Sequence, residues 1–169
     1  MIAIAHDSRE RPALRAASCP RPEQPVSSEC PIRFPQGLPG FPHLIRFRLA
    51  PLAGTAASLL LAALDDPGIR FVVLPHGAGL LAEDDVAAAC EAALGCTPAD
   101  STVLLVVSLQ DVAGERRAFV NLRAPILLDT VRRVAVQHVL PNPCYPVRYP
   151  LPGVRSVTGG VTASGSPLA

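Results

Sequence analysis

The sequence predicts a mainly β protein: a small antiparallel, barrel-like roll with one or two short helices and disordered tails. Three observations lead there. Short runs rich in Val, Ile and Leu recur at close spacing, with Pro and Gly between them. Only one segment has a convincing helical period. Both ends lack the apolar density that a core requires.

A chain of 169 residues suits one domain better than two. Hydrophobic residues make up 49% of it, yet there are only five Phe, two Tyr and no Trp. Its core must therefore be built from Val, Leu, Ile and Ala. Residues 1–30 read as a disordered, Pro-rich tail, because Pro12, Pro20, Pro22 and Pro25 each remove a backbone donor and break any helix. Residues 152–169 have the Gly, Ser and Thr content of a flexible linker. The folded domain is placed at 31–151.

Within that window, residues 43–49 alternate, with Ile45, Phe47 and Leu49 on one face and Arg46 and Arg48 on the other. Residues 69–74 form a second strand, bounded by Asp66-Pro67-Gly68 and Pro75. Residues 102–109 are a continuous aliphatic run, the pattern of a central strand covered on both faces. Strands follow at 117–122, 126–129 and 132–140. The helix opens at Glu83-Asp84-Asp85, where negative charge meets the positive end of the helix dipole. Val86, Ala89, Cys90, Ala93 and Leu94 share one helix face, and Gly95 is suited to end it. Residues 56–64 allow either helix, by their Ala and Leu content, or strand, by their shortness.

Charge and motifs exclude several function classes. The net charge is +1, with no Lys anywhere, and the window balances ten Arg against ten Asp and Glu. That gives no basic stripe for nucleic acid. No apolar run is long enough to span a bilayer, and no signal peptide opens the chain, so a cytoplasmic protein is expected. Five Cys with no Cys-x-x-Cys pair are expected to be reduced thiols, and no metal or other cofactor is expected. Gly77-Ala78-Gly79 lacks the rest of a phosphate-binding fingerprint. A Cys144–His138 nucleophile and base would need a helix N-terminus or cation to activate the thiol, but Cys144 sits in the Pro-rich loop 141–146. No catalytic residue is assigned, and the chain is not expected to be an enzyme. A binding protein remains, with loops on a rigid scaffold as its working parts.

The loops also carry a resemblance. Phe34-Pro35-Gln36-Gly37-Leu38-Pro39-Gly40-Phe41 resembles the opening motif of the FliW family. There Gly37 and Gly40 permit positive φ, Pro39 stiffens the turn and Phe41 anchors it. Leu64-Asp65-Asp66-Pro67, Asn121-Leu122-Arg123-Ala124-Pro125-Ile126, Gln137 and Tyr145-Pro146-Val147-Arg148-Tyr149-Pro150-Leu151 follow in the family's order. The resemblance implies a cytoplasmic, monomeric, chaperone-like flagellar assembly factor that binds flagellin. It further implies antagonism of the translational repressor CsrA, by which flagellin synthesis is controlled. A neutral window offers less electrostatic steering toward a basic repressor than an acidic one. Candidate partner contacts are Asn121, Arg123, Pro125, Tyr145 and Arg148. Asn121 has a second reading, as a turn cap through its amide, and Tyr145 as a plug of the sheet end. The alternatives from another class are a thiol or zinc-binding β protein, needing three or more Cys and His to converge, and a Cys-dependent hydrolase.

Overall fold

The computed structural model describes residues 30–151 except 56 and 78. Both expected tails, apart from Cys30, lie outside the described residues. Among the described residues, nine strands join in one sheet, with one α-helix packed on its outer side. In chain order they are β1 (Ile32–Arg33), β2 (Arg46–Pro51), β3 (Leu59–Ala63) and β4 (Arg70–Pro75). Helix α1 (Glu83–Leu94) and a short 3-10 turn (Pro98–Asp100) come next. Then follow β5 (Ser101–Val112), β6 (Glu115–Val120), β7 (Ile126–Asp129), β8 (Val134–Gln137) and β9 (Tyr149–Pro150).

The pairings run β4-β3-β2-β1-β8-β7-β5 and return to β4, closing a ring from which β6 and β9 extend. Strand β5 makes the closure. One of its edges pairs with β7 at Ser101–Leu104 and with β6 from Val107 onward, while β4 pairs along Leu104–Val107. All pairings are antiparallel except β1–β8, which meet in parallel at Arg33 and Val134.

Strand alternation divides the core in two. Phe47, Leu49, Leu61, Val73, Leu104, Ile126 and Leu128 point into the ring. Val103, Leu105, Val120, Leu127 and Leu140 point outward, where Leu81, Ala89 and Cys90 cover them. Strands β5 and β7 are therefore apolar on both faces, which is why they read as unbroken aliphatic runs. Each fully buried Leu, Ile or Phe contributes roughly 1.5–3 kcal/mol. The few aromatics are concentrated in the ring: Phe34 meets Phe47 edge-on at 4.8 Å, and Phe41 meets Phe71 at 5.7 Å.

Helix α1 occupies the expected residues and buries the expected face. Gly95 ends it in the left-handed region at φ 61°, donating its N–H to Glu91 O. Within the ambiguous stretch 56–64, Leu59–Ala63 form a strand, because they lie between β2 and β4 with Leu61 buried in the ring. Three expectations need correction. The strand expected at 132–140 shrinks to Val134–Gln137, since Asp129 Oδ1 accepts the Val131 and Arg132 N–H groups in a turn and Arg133 takes φ 58°. Ile45 precedes β2 and is 41% exposed rather than packed with Phe47. The sheet is not wholly antiparallel, and the two-residue strand β1 carried no visible pattern.

Candidate functional site

Apart from Leu64–Pro67, which forms the turn between β3 and β4, the FliW-like motifs lie at two places. The first is the turn Leu38–Phe41. Leu38 and Phe41 exchange backbone hydrogen bonds, with Pro39 and Gly40 at the corners and Gly40 at φ 86°. Pro followed by a positive-φ Gly is the type II turn pattern. Gly37 is the stricter position. At φ 66°, a Cβ there would stand 2.5 Å from Phe41 O and 2.7 Å from Pro42 Cα. Phe41 then anchors the turn against Phe71.

The second is a cluster of three segments: the β6–β7 loop at 121–125, the chain from Gln137 to Leu151, and the N-terminus of α1. Asn121 Oδ1 accepts the backbone N–H groups of Arg123 and Ala124 at 3.0 Å each. That is an Asx turn, so the amide shapes the loop. The loop carbonyls are then taken in order. Leu140 N–H donates to Arg123 O, Gln137 Nε2 to Ala124 O, and His138 N–H to Pro125 O, each at 2.9 Å. Leu122 N–H reaches Pro146 O, and the Arg123 guanidinium donates to Asn142 O. Pro125 is buried.

Tyr145 ties this loop to the helix. Its hydroxyl donates to Asp85 Oδ2 at 2.6 Å and accepts the Ala82 N–H at 3.0 Å. Ala82 is the helix N-cap, and Tyr145 takes its backbone N–H, the contact that an N3 Glu or Gln makes in a capping box. Asn142 Nδ2 donates to the same Asp85 oxygen. The bond to Asp85 pushes the Tyr145 phenol above its ordinary value, despite the opposing effect of the Ala82 N–H. The role of Asp85 was not visible in sequence, because its partner lies 60 residues away. Arg148 points elsewhere. Exposed, it lies over the Phe119 ring at 5.2 Å, between Val147 at 60% exposure and Tyr149 at 37%. The cluster is thus a hydrogen-bonded scaffold beneath an exposed rim of Pro146, Val147, Arg148 and Tyr149.

The other chemistry does not assemble. Among the described residues, no group of three or more His, Cys, Asp or Glu is placed to hold a metal ion. Cys144 is exposed, its backbone N–H donates to Asn142 Oδ1, and no hydrogen bond joins its thiol to His138. Burial pushes the Cys96 thiol up, away from reactivity. An open cleft of about 510 Å³ lies beside α1, lined by His76, Leu81, Glu83, Asp84, Val86 and Pro98 among others. Burial lowers the His76 pKa there. No helix among the described residues is long and apolar enough to cross a membrane.

Comparison with known proteins bears on this arrangement directly. The family model described as FliW protein matches residues 21–151, covering both motif clusters. The chain belongs to the FliW family. Among its relatives, the flagellar assembly factor FliW of Carboxydothermus hydrogenoformans is 33% identical over 120 residues, 70% of this chain and 77% of that protein. The Moorella thermoacetica FliW is 33% identical over 122 residues, covering 71% and 77%. The FliW of Azoarcus is 32% identical over 121 residues, covering 68% and 83%. A crystal structure of the flagellar assembly factor FliW has the same fold, with a TM-score of 0.56 at 23% identity over 71% of this chain and 84% of that one.

Proposed function

We propose that this chain is a flagellar assembly factor that acts by binding, with flagellin as its partner in the cytoplasm. It works as a monomeric, chaperone-like protein and catalyses no reaction. The observation that carries this reading is the FliW match across residues 21–151, which spans every element of the loop cluster. The rim of Pro146, Val147, Arg148 and Tyr149 is the contact surface. Its mix of apolar, aromatic and Arg side chains has the composition of an interface centre. Asn121, Arg123, Pro125 and Tyr145 hold that rim in shape through the bonds described above. A polar constellation consumed by its own internal bonds suits a scaffold better than an active site.

Antagonism of the repressor CsrA is the second arm. It works as competition: flagellin and CsrA draw on the same pool of this protein, so removal of flagellin frees the protein for CsrA. The test is co-purification of native flagellin with the full chain, run with and without CsrA. Retention of flagellin supports the first arm, and its failure to bind a folded sample at micromolar concentration removes it. A gel shift of CsrA on its mRNA tests the second arm separately. An unchanged shift across excess protein removes that arm alone.

A further inference from the structure

We propose that the outward face of β2, β3 and β4 is a docking surface for an acidic, amphipathic segment of a partner protein. The argument begins with register. Arg48 pairs with Ala62, and Ala62 with Arg70, so these three side chains form one row across three strands. The adjacent row is Ala50, Leu60, Val72 and Val107, again directly paired across β2 to β5. The opposite side chains of these strands, Phe47, Leu49, Leu61 and Val73, fill the ring, which fixes both rows on its outer side.

Every residue of the second row is half-buried; Val107 at its end packs against the core under α1, whereas Ala50, Leu60 and Val72 do not. Leu109 continues the outward side of β5 and is 53% exposed, and Leu64 beyond β3 is 40% exposed. Helix α1 covers the outer core at Val103, Leu105 and Leu127, whereas Leu60 and Val72 remain outside that cluster. The result is an aliphatic strip without a lid on this side of the sheet.

Charge then selects the occupant. All charged residues within β1 to β4 are Arg: Arg33, Arg46, Arg48 and Arg70, each exposed. Arg46 is paired with Asp65. Among the described residues, Arg48 and Arg70 have no carboxylate partner, and Arg70 only donates to Pro67 O. Two Arg positions two strand spacings apart, roughly 10 Å along the backbone register, sit beside an aliphatic row with the small Ala62 between them. This pattern complements carboxylates flanking Leu-type side chains, with planar forks suited to carboxylate oxygens. Nucleic acid fits poorly, because the face presents no aromatic ring for a base to stack on. The acidic residues at the start of α1 lie on a different element, so the balanced charge of the domain conceals a basic sheet face. The two rows share no residue with the rim at 146–149, and this surface is additional to it.

The test uses the full chain and a labelled helical peptide with Leu on one face and Glu on its flanks. Saturable binding is expected, weakened by salt and by Lys in place of Glu. The double variant Arg48→Glu with Arg70→Glu is expected to lose on the order of tenfold in affinity. The pair Arg116→Glu with Arg117→Glu, on the β6 arm, is expected to bind as the parent does. Should the first variant fail to fold by circular dichroism, Arg48→Gln with Arg70→Gln and backbone amide shifts on the parent protein decide instead. Shifts confined to β2–β4 support the proposal. Absence of peptide binding, equal binding of the Lys peptide, insensitivity to the Arg48 and Arg70 substitutions, or preference for a single-stranded oligoribonucleotide would overturn it.

Discussion

At the scale of single residues, the FliW-like motifs are chiefly devices for bending the backbone. Asn121 satisfies two loop N–H groups with one oxygen. Its replacement by Ala leaves both without that partner, and we expect Asn121→Ala to lose about 1–3 kcal/mol in a urea titration, with Asn121→Asp largely conserving the turn. The two motif glycines separate two kinds of constraint. Gly37 combines positive φ with backbone atoms within 2.7 Å of a would-be Cβ, whereas Gly40 has positive φ and open space. Gly37→Ala is expected to cost about 2 kcal/mol or more, and Gly40→Ala only the conformational part, about 1 kcal/mol. Equal losses in thermal melts of the two variants would contradict this account. The sequence exposed Asn121 as a turn candidate because Asn-x-Arg-Ala-Pro is turn chemistry in itself. It hid Asp85 and Asn142, because their partners come from distant segments and no local pattern marks a hydrogen bond across the fold.

Among the elements, α1 is held at both ends by other parts of the chain. Tyr145 receives the Ala82 N–H at its start. At its end, the Arg132 guanidinium donates to Leu94 O, placing a cation at the negative end of the helix dipole. Arg132 is positioned by Asp129, which is only 2% exposed. Burial pushes the Asp129 carboxyl up, but bonds from the Arg132 N–H and guanidinium and from the Val131 N–H outweigh it and hold the pKa below its ordinary value. A carboxyl with a depressed folded-state pKa contributes its full stability above the unfolded value, about pH 4. That contribution disappears as pH falls through the folded value. Asp129→Ala is expected to cost about 2–3 kcal/mol at neutral pH and to flatten the loss of stability on acidification, measured by urea midpoints across the acid range. Elements with their own period were legible in sequence: α1 by its apolar stripe, β5 and β7 by aliphatic continuity. Strand β3 was ambiguous because Leu and Ala favour helix locally, and only the flanking strands decide it. Strand β8 was drawn too long because the turn that trims it depends on Asp129, a buried charge that resembles any loop Asp.

For the whole molecule, closure of the ring rests on β5, which pairs with β4 on one edge and with β7 and β6 on the other. Its amides from Val103 to Val107 are expected to exchange most slowly with deuterium. Those near Asp111 to Glu115, at the tip of the β5–β6 arm, are expected to exchange early. Fast exchange in the centre of β5 would mean that the ring opens there. Flagellin binding is the role proposed for this scaffold. Calorimetric titration of monomeric flagellin into the full chain tests it most directly. A saturable one-to-one complex in the micromolar range or tighter, weakened by Arg148→Glu with Tyr149→Ala at unchanged thermal stability, is the predicted result. No heat of binding from folded protein at these concentrations would contradict it.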